Sequence, residues 1–304
     1  MKLRIGTRGS PLARWQAEFV AGRLRENGHD IELIPISTRG DRVQSGPIAA
    51  IAGGDGVFTK ELQRALLANE IDIAVHSLKD LPTAPVEGLT LAAVPQRGPT
   101  GDVIIVRGGG GLDALTKGAT VGTGSLRRRA QLWHARPDLK MAEIRGNVDT
   151  RLRKLADGAY DAICLAEAGI ERLGLDAPAE VLSKSIMLPA VGQGALGIEA
   201  RGDDRATLEA LTALDEALTH AAVLAERAML FAIGGGCLAP IGAWGRVEPD
   251  GLLRLDVVVL SGDGSQRLAT NVNGLVTAAV ELGRSAAELL RAQGATPLID
   301  ACRA

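Results

Sequence analysis

Three groups of residues in this 304-residue chain have the type and spacing to do chemistry. The first is a thiol on a glycine loop, Gly234-Gly235-Gly236-Cys237, followed by Leu238-Ala239-Pro240. Glycines free the backbone and let a bulky group approach closely, and Pro240 stiffens the exit. Cys237 is therefore displayed on a loop, and two readings stand: a small residue in a tight turn, or a reactive thiol. The second group is His76-Ser77-Leu78-Lys79-Asp80-Leu81-Pro82, in which Asp80 follows a buried strand. Asp80 either caps a turn or works inside a cleft, giving a proton to a leaving group or steadying a cation on a substrate. His76 reads as structural.

Arginine makes up the third group. Only seven of the 34 basic residues are lysine, although the net charge is −2. Arg127-Arg128-Arg129 form a run, and Arg145, Arg151 and Arg153 follow closely. A guanidinium grips carboxylate or phosphate through a planar fork and keeps its charge at any working pH. Nucleic-acid binding by such a run calls for stacking aromatics, and the chain has three Trp, three Phe and one Tyr. With a pI near 6.1 as well, a small polyanion is the better partner, and no nucleic acid is expected. No apolar run approaches a bilayer span, and the opening Met1-Lys2-Leu3-Arg4 lacks the apolar core of a signal peptide. Cys164, Cys237 and Cys302 have neither metal-ligand spacing nor an even count. A cytoplasmic protein without membrane or metal is expected.

These residues need elements to position them. Residues 3–5 read as a strand, Thr7-Arg8-Gly9-Ser10 as its loop, and Pro11 as the start of a helix with Ser10 as its cap. A strand at 31–36, a glycine-rich mobile loop at 44–57, a helix at 59–69 and a buried strand at 71–75 follow. Residues 95–102 read as a crossing to a second lobe. There Val121-Gly122-Thr123-Gly124-Ser125 leads into a helix, echoing Ile5-Gly6-Thr7-Arg8-Gly9-Ser10. Strands at 141–144 and 160–165 complete the echo. Ser10 and Ser125 stand at helix starts, either as plain caps or as anion sites flanked by Arg8, Arg127 and Arg128. Gly122 and Gly124 lack the third glycine of a dinucleotide fingerprint, and no Walker lysine occurs. Beyond residue 219 the style changes: a helix at 220–231, strands at 241–247, 252–260 and 266–272, and a helix at 276–293.

Seven motifs in this order resemble the hydroxymethylbilane synthase (porphobilinogen deaminase) family. They are Arg8-Gly9-Ser10-Pro11-Leu12-Ala13, Thr38-Arg39-Gly40-Asp41, His76 to Pro82, Ser125-Leu126-Arg127-Arg128, Arg145-Gly146-Asn147-Val148, Leu188-Pro189-Ala190-Val191-Gly192-Gln193-Gly194 and Gly235-Gly236-Cys237. The resemblance runs from residue 3 to about 245. It implies an enzyme of tetrapyrrole biosynthesis that joins four porphobilinogen molecules head to tail into hydroxymethylbilane, releasing ammonia at each coupling. It also implies a dipyrromethane cofactor, held by a thioether to Cys237, that primes the chain. Asp80 matches the catalytic aspartate. Ser10, Lys79, Thr123, Ser125, Arg127 and Arg128 match cofactor contacts, and Arg8, Arg145, Arg151, Arg172 and Gln193 match substrate contacts. Asp55 and Phe58 fall in the family's lid loop.

Two departures stand out: Asp55 replaces a lysine of the lid's Gly-Gly-Lys-Gly, and Gly124 replaces a serine. The implied fold is α/β, with two periplasmic-binding-protein-like lobes around a cleft and a small α+β C-terminal domain carrying the cofactor cysteine. Its divisions are 1–96 with 195–215, 97–194, and 216–304. A monomer is expected. A solute-binding protein without chemistry would share the lobes and the arginines and leave the Gly-Gly-Gly-Cys loop unexplained.

Overall fold

The computed structural model describes residues 1–38, 58–236 and 239–302. The loop expected at 44–57, with Asp55, lies outside the described residues, as do Arg39, Gly40, Asp41 and Cys237.

Strands β1 (Lys2–Thr7) and β2 (Asp30–Pro35) pair in parallel and are joined by α1 (Pro11–Glu26). The cap expected at Ser10 is present: its Oγ accepts the Ala13 N–H at 3.3 Å, and Pro11 fills the first helical position, where no N–H is needed. Ala13, Gln16, Ala17, Val20, Ala21 and Leu24 recur at helical spacing and form the buried face of α1. Helix α2 (Lys60–Leu67) leads to β3 (Ile73–Ser77), which is parallel to β1, and then to β4 (Leu89–Ala93). The chain crosses to β5 (Asp102–Val106), β6 (Thr120–Gly122), α3 (Leu126–Ala135), β7 (Lys140–Ala142), α4 (Val148–Ala156), β8 (Ala162–Ala166), α5 (Glu167–Arg172) and β9 (Ala179–Val181). It then returns as β10 (Leu196–Arg201).

The echo noted in the sequence has a topological basis. One sheet runs β2-β1-β3-β10-β4 and the other β7-β6-β8-β5-β9. Position for position these orders coincide, and the fourth strand is antiparallel to both neighbours in each sheet. That strand is the first one after a crossing: β5 on the way out and β10 on the way back. Apolar side chains fill both sheets, with Leu3, Ile5, Ile73 and Ile198 at 0% exposure in one and Ile104, Val121 and Ile163 in the other. The charged loops leave the carboxyl ends of the parallel strands β1, β3, β6 and β7, where ligands of open α/β sheets bind.

After α6 (Arg205–Thr212), helix α7 (Ala217–Ala232) opens the C-terminal part. Strands β11 (Ile241–Val247), β12 (Leu252–Leu260) and β13 (Arg267–Leu275) form an antiparallel sheet. Helix α8 (Ala279–Ala292) and α9 (Ala295–Asp300) follow. Ala225 and Met229 of α7, Ala286 and Leu290 of α8, and Leu253, Leu255 and Val257 of β12 share one core. The third strand runs three residues past the expected end at 272, and residues 276–278 form a 3-10 turn before α8, so the helix starts later than its apolar pattern. The molecule is thus α/β with two mixed five-stranded sheets and a smaller antiparallel sheet domain. Among the described residues no helix is long and apolar enough to cross a membrane.

Candidate active site

Strand β3 ends in a 3-10 turn, Leu78–Asp80. Leu78 and Leu81 are buried on either side, so Lys79 and Asp80 are the residues left to face the cleft. Asp80 lines a pocket of about 60 Å³ together with Arg8, Ser10, Gln16, Phe58 and Ser77. The Arg8 guanidinium lies 4.1 Å from the Phe58 ring centroid, so the aromatic floor carries a cation above it. Gln16 donates to Ser77 Oγ at 2.8 Å, fixing both polar tips at the pocket wall. His76 also borders this pocket, but its ring is paired with Glu199 at 2.9 Å and is 2% exposed, in keeping with a structural role.

From the other sheet, Ser125 caps α3, its Oγ accepting the Arg128 N–H at 3.4 Å, and Thr123 Oγ1 accepts the Ser125 N–H at 3.3 Å. The two arginines that follow are both buried. Arg127 donates to Asp102 at 2.7 and 3.1 Å and to the Leu188 carbonyl at 2.6 Å. Arg128 donates through Nε to Asp102 at 2.8 Å and to the Cys164 carbonyl at 3.0 Å. Asp102 is fully buried; burial alone would raise its carboxyl, and the Arg127 and Arg128 charges outweigh it, holding it well below the usual carboxylate range. Burial and the Arg128 charge push the Lys79 ammonium down to about 8, against the pull of Asp80 and Asp102. Burial and Arg128 likewise lower Arg151 to about 10, with Glu143 and Asp80 opposing. Lys79, Asp80, Arg128 and Arg151 therefore feel one another across the cleft.

Arg145 stands 3.4 Å from Glu143, and Arg151 donates to the Gly146 carbonyl at 2.8 Å. The missing hydroxyl at Gly124 has a local correlate: a Cβ there would come within 3.0 Å of Glu143 Oε1, so glycine leaves that carboxylate room. Two expected substrate contacts are engaged at the crossings, Gln193 with its Oε1 3.5 Å from Arg127 as well. Gln193 is fully buried at the return crossing, donating to the Thr100 and Gly101 carbonyls at 3.1 and 2.9 Å. Arg172 donates to the Gly194 carbonyl at 2.6 Å and lies 5.5 Å from the Trp15 ring.

The sequence reading passed over Gln16, Ser77 and Asp102. Gln16 carried a faint signal as a polar residue on the apolar face of α1. Asp102, opening the run Val103-Ile104-Ile105-Val106 after an expected crossing, carried none that distinguishes a buried counter-ion from a strand cap. Arg97 was missed too: it donates to Glu226 at 2.7 and 3.1 Å and to the Gln193 carbonyl at 2.9 Å, joining the outward crossing, the return crossing and α7.

The residues also suit a multiply anionic group. Arg127 Nε and Arg145 Nε and Nη2 are buried and find no hydrogen-bond acceptor among the described residues, and Asp102 is already taken by Arg127 and Arg128. A multiply anionic ligand would supply the missing acceptors.

Fold and site together define a cleft between two sheets, lined by arginines with Asp80 at a strand end, and a third, antiparallel-sheet domain in whose sequence Gly234-Gly235-Gly236-Cys237 falls. Two family models match the chain. "Porphobilinogen deaminase, dipyromethane cofactor binding domain" covers residues 3–209, and "Porphobilinogen deaminase, C-terminal domain" covers 220–292. The porphobilinogen deaminase of Rubrobacter xylanophilus is 47% identical over 302 residues, spanning 99% of this chain and 98% of that one. That of Desulforudis audaxviator is 48% identical over 303 residues, 99% of this chain and 97% of its own. The chain belongs to the porphobilinogen deaminase family. Among solved structures, the methionine-binding protein MetQ aligns with a TM-score of 0.45 at 14% identity, covering 70% of this chain and 89% of that one.

Proposed function

We propose that this protein is a hydroxymethylbilane synthase that condenses four porphobilinogen molecules, with Asp80 as its catalytic carboxylate and Cys237 as the anchor of a dipyrromethane primer. The observation that carries the reading is Asp80 at a strand end in the pocket with Arg8 and Ser10, close enough to Lys79 and Arg151 to act on both charges. Family membership supplies the reaction class and the dipyrromethane domain.

When bound through Cys237, the dipyrromethane supplies the pyrrole carbon to which the first substrate is joined. The chain's own residues do the rest. Arg8, Arg128, Arg145 and Arg151, with Lys79, hold the acetate and propionate carboxylates of porphobilinogen and of the growing chain. Arg127 lends its buried Nε to the same carboxylates while fixing Asp102. Ser10, Ser125 and Thr123 shape the two helix starts. Asp80 keeps a proton at the aminomethyl nitrogen as ammonia departs, and its carboxylate stabilises the positive charge left on the substrate. Phe58 closes one wall beneath Arg8. Arg172 and Gln193 act at the crossings, where they set the angle between the lobes. The domain division 1–96 with 195–215, 97–194 and 216–304 accords with the sheet memberships, in which β10 rejoins β3 and β4. A cytoplasmic monomer completes the proposal.

Intact mass of the purified protein, with peptide mapping around Cys237, tests it. The expected result is the added mass of two linked pyrroles on Cys237, and formation of hydroxymethylbilane when porphobilinogen is supplied. A bare thiol that gains no mass from porphobilinogen overturns the reading in favour of a binding protein.

A further inference from the structure

Helix α7 touches the catalytic turn midway along its length, and its end precedes the Gly234–Cys237 segment in the sequence. It starts beside the outward crossing, where Glu216 N–H donates to the Val94 carbonyl at 2.9 Å. Val223, fully buried on α7, packs with Leu78, Leu81, Val94 and Ala195, so the helix leans directly on the turn bearing Lys79 and Asp80. One turn further on, Arg227 donates through Nη1 to the Leu81 carbonyl at 2.9 Å and through Nη2 to the Pro82 carbonyl at 2.8 Å. The helix ends at Ala232, five residues before Cys237.

The turn itself has few other restraints on its far side. Leu78 N–H is held by the Ala195 carbonyl at 3.0 Å, and Leu81 N–H closes back on Leu78 at 3.1 Å. Beyond that, the chain from Leu81 to Val86 belongs to no strand or helix, and Pro82 has no N–H to offer. A planar fork bridging two successive carbonyls is a rigid way to fix such a segment, and lysine has no equivalent geometry.

We propose that Arg227 is a positioning residue: it clamps the backbone just after Asp80 to helix α7, which ends five residues before Cys237 in the sequence, and so sets the height of the catalytic carboxylate in the cleft. Arg227 is not among the residues lining the pocket, and it acts through Leu81 and Pro82. This rests on the functional reading above and adds to it a residue outside the cleft. The carboxylate-binding arginines lie on other elements, so loosening the clamp slows the chemical step and spares substrate binding.

The test uses loaded protein in wild-type, Arg227→Met and Arg227→Lys forms, each also built on Asp80→Glu, whose longer side chain depends less on backbone height. Intact mass verifies the two-pyrrole load on each, and kcat and KM are measured separately. Arg227→Met should lower kcat roughly tenfold or more with KM within about twofold, because small misplacements of a reacting group are costly. Lysine should restore part of the loss. On Asp80→Glu the Arg227→Met loss should shrink to less than about threefold, since residues acting as a unit are not additive. Full kcat in Arg227→Met overturns the clamp, and so does a rise in KM alone or an undiminished loss on Asp80→Glu. If Arg227→Met fails to fold, Arg227→Lys with kcat and KM both at wild-type levels overturns it as well. A wild-type protein that carries no pyrroles and makes no product would instead remove the functional reading beneath it.

Discussion

Asp80 and Asp102 show how one residue type takes opposite roles by environment. Asp102 faces two guanidiniums in full burial, and Asp80 faces a pocket. Asp80→Asn removes the charge and the proton site while keeping the shape, so turnover should nearly vanish with an unchanged melting temperature; near-normal product formation would remove Asp80 from the chemistry. Asp102→Asn should instead destabilise the fold by ~3–5 kcal/mol, because two buried cations lose their counter-ion. Denaturant titration checks this. The depressed Asp102 carboxyl gives its stabilisation in full above the ordinary carboxylate range, and loses it only as acid drives the pH below about 4. Lys79, lowered to about 8, carries the opposite charge: it is cationic below that pH and neutral above it. The KM for porphobilinogen should therefore climb as pH passes 8, and Lys79→Arg should move that rise out of range, as KM measured from pH 7 to 9.5 would reveal. The same shift makes the folded protein gain stability between about 8 and 10.5, where the unfolded chain holds the extra proton.

At the scale of elements, what was legible in the sequence was whatever local chemistry decides. Ser10-Pro11 and Ser125 announced their helices because caps depend on neighbouring residues alone. Strands β11 and β12 fell where alternation and the Pro-Asp-Gly and Gly-Asp-Gly turns put them. Strand β10 was not legible as a strand, since Leu196-Gly197-Ile198-Glu199-Ala200 has its partners at residues 73–77 and 89–93, far off in sequence. The partners of a side chain are equally non-local: nothing in the sequence shows that Gln193 donates to Gly101 and Arg172 to Gly194 at the crossings. The caps make their own prediction. Ser125→Ala should cost about 1 kcal/mol in stability by thermal melt, through the lost bond to the Arg128 N–H. Because α3 presents Arg127 and Arg128, the same change should loosen substrate binding, which Ser125→Thr should largely restore.

Over the whole molecule, the swapped strands β5 and β10 mean that the lobes are joined twice, and a doubly joined pair bends rather than separates. The two crossings touch: Gly98 N–H donates to the Gly194 carbonyl at 3.1 Å, and Arg172 reaches that same oxygen. Gly194 has φ +83°, and a Cβ there would lie 2.6 Å from the Gly98 and Pro99 carbonyl oxygens, so this joint admits only glycine. Arg172 of α5 also lies over Trp15 of α1, a contact between the lobes beside that joint. A chain growing from two pyrroles to six gives the cleft a reason to widen. A short tether between α1 and α5, made without thiols so that Cys237 is untouched, should therefore permit the first addition of porphobilinogen and stall the later ones. Intact mass after mixing would show species with one or two added pyrroles and no released product. Four additions and normal release in the tethered protein would mean that the cleft accommodates the chain without lobe movement, by sliding it past a fixed Asp80.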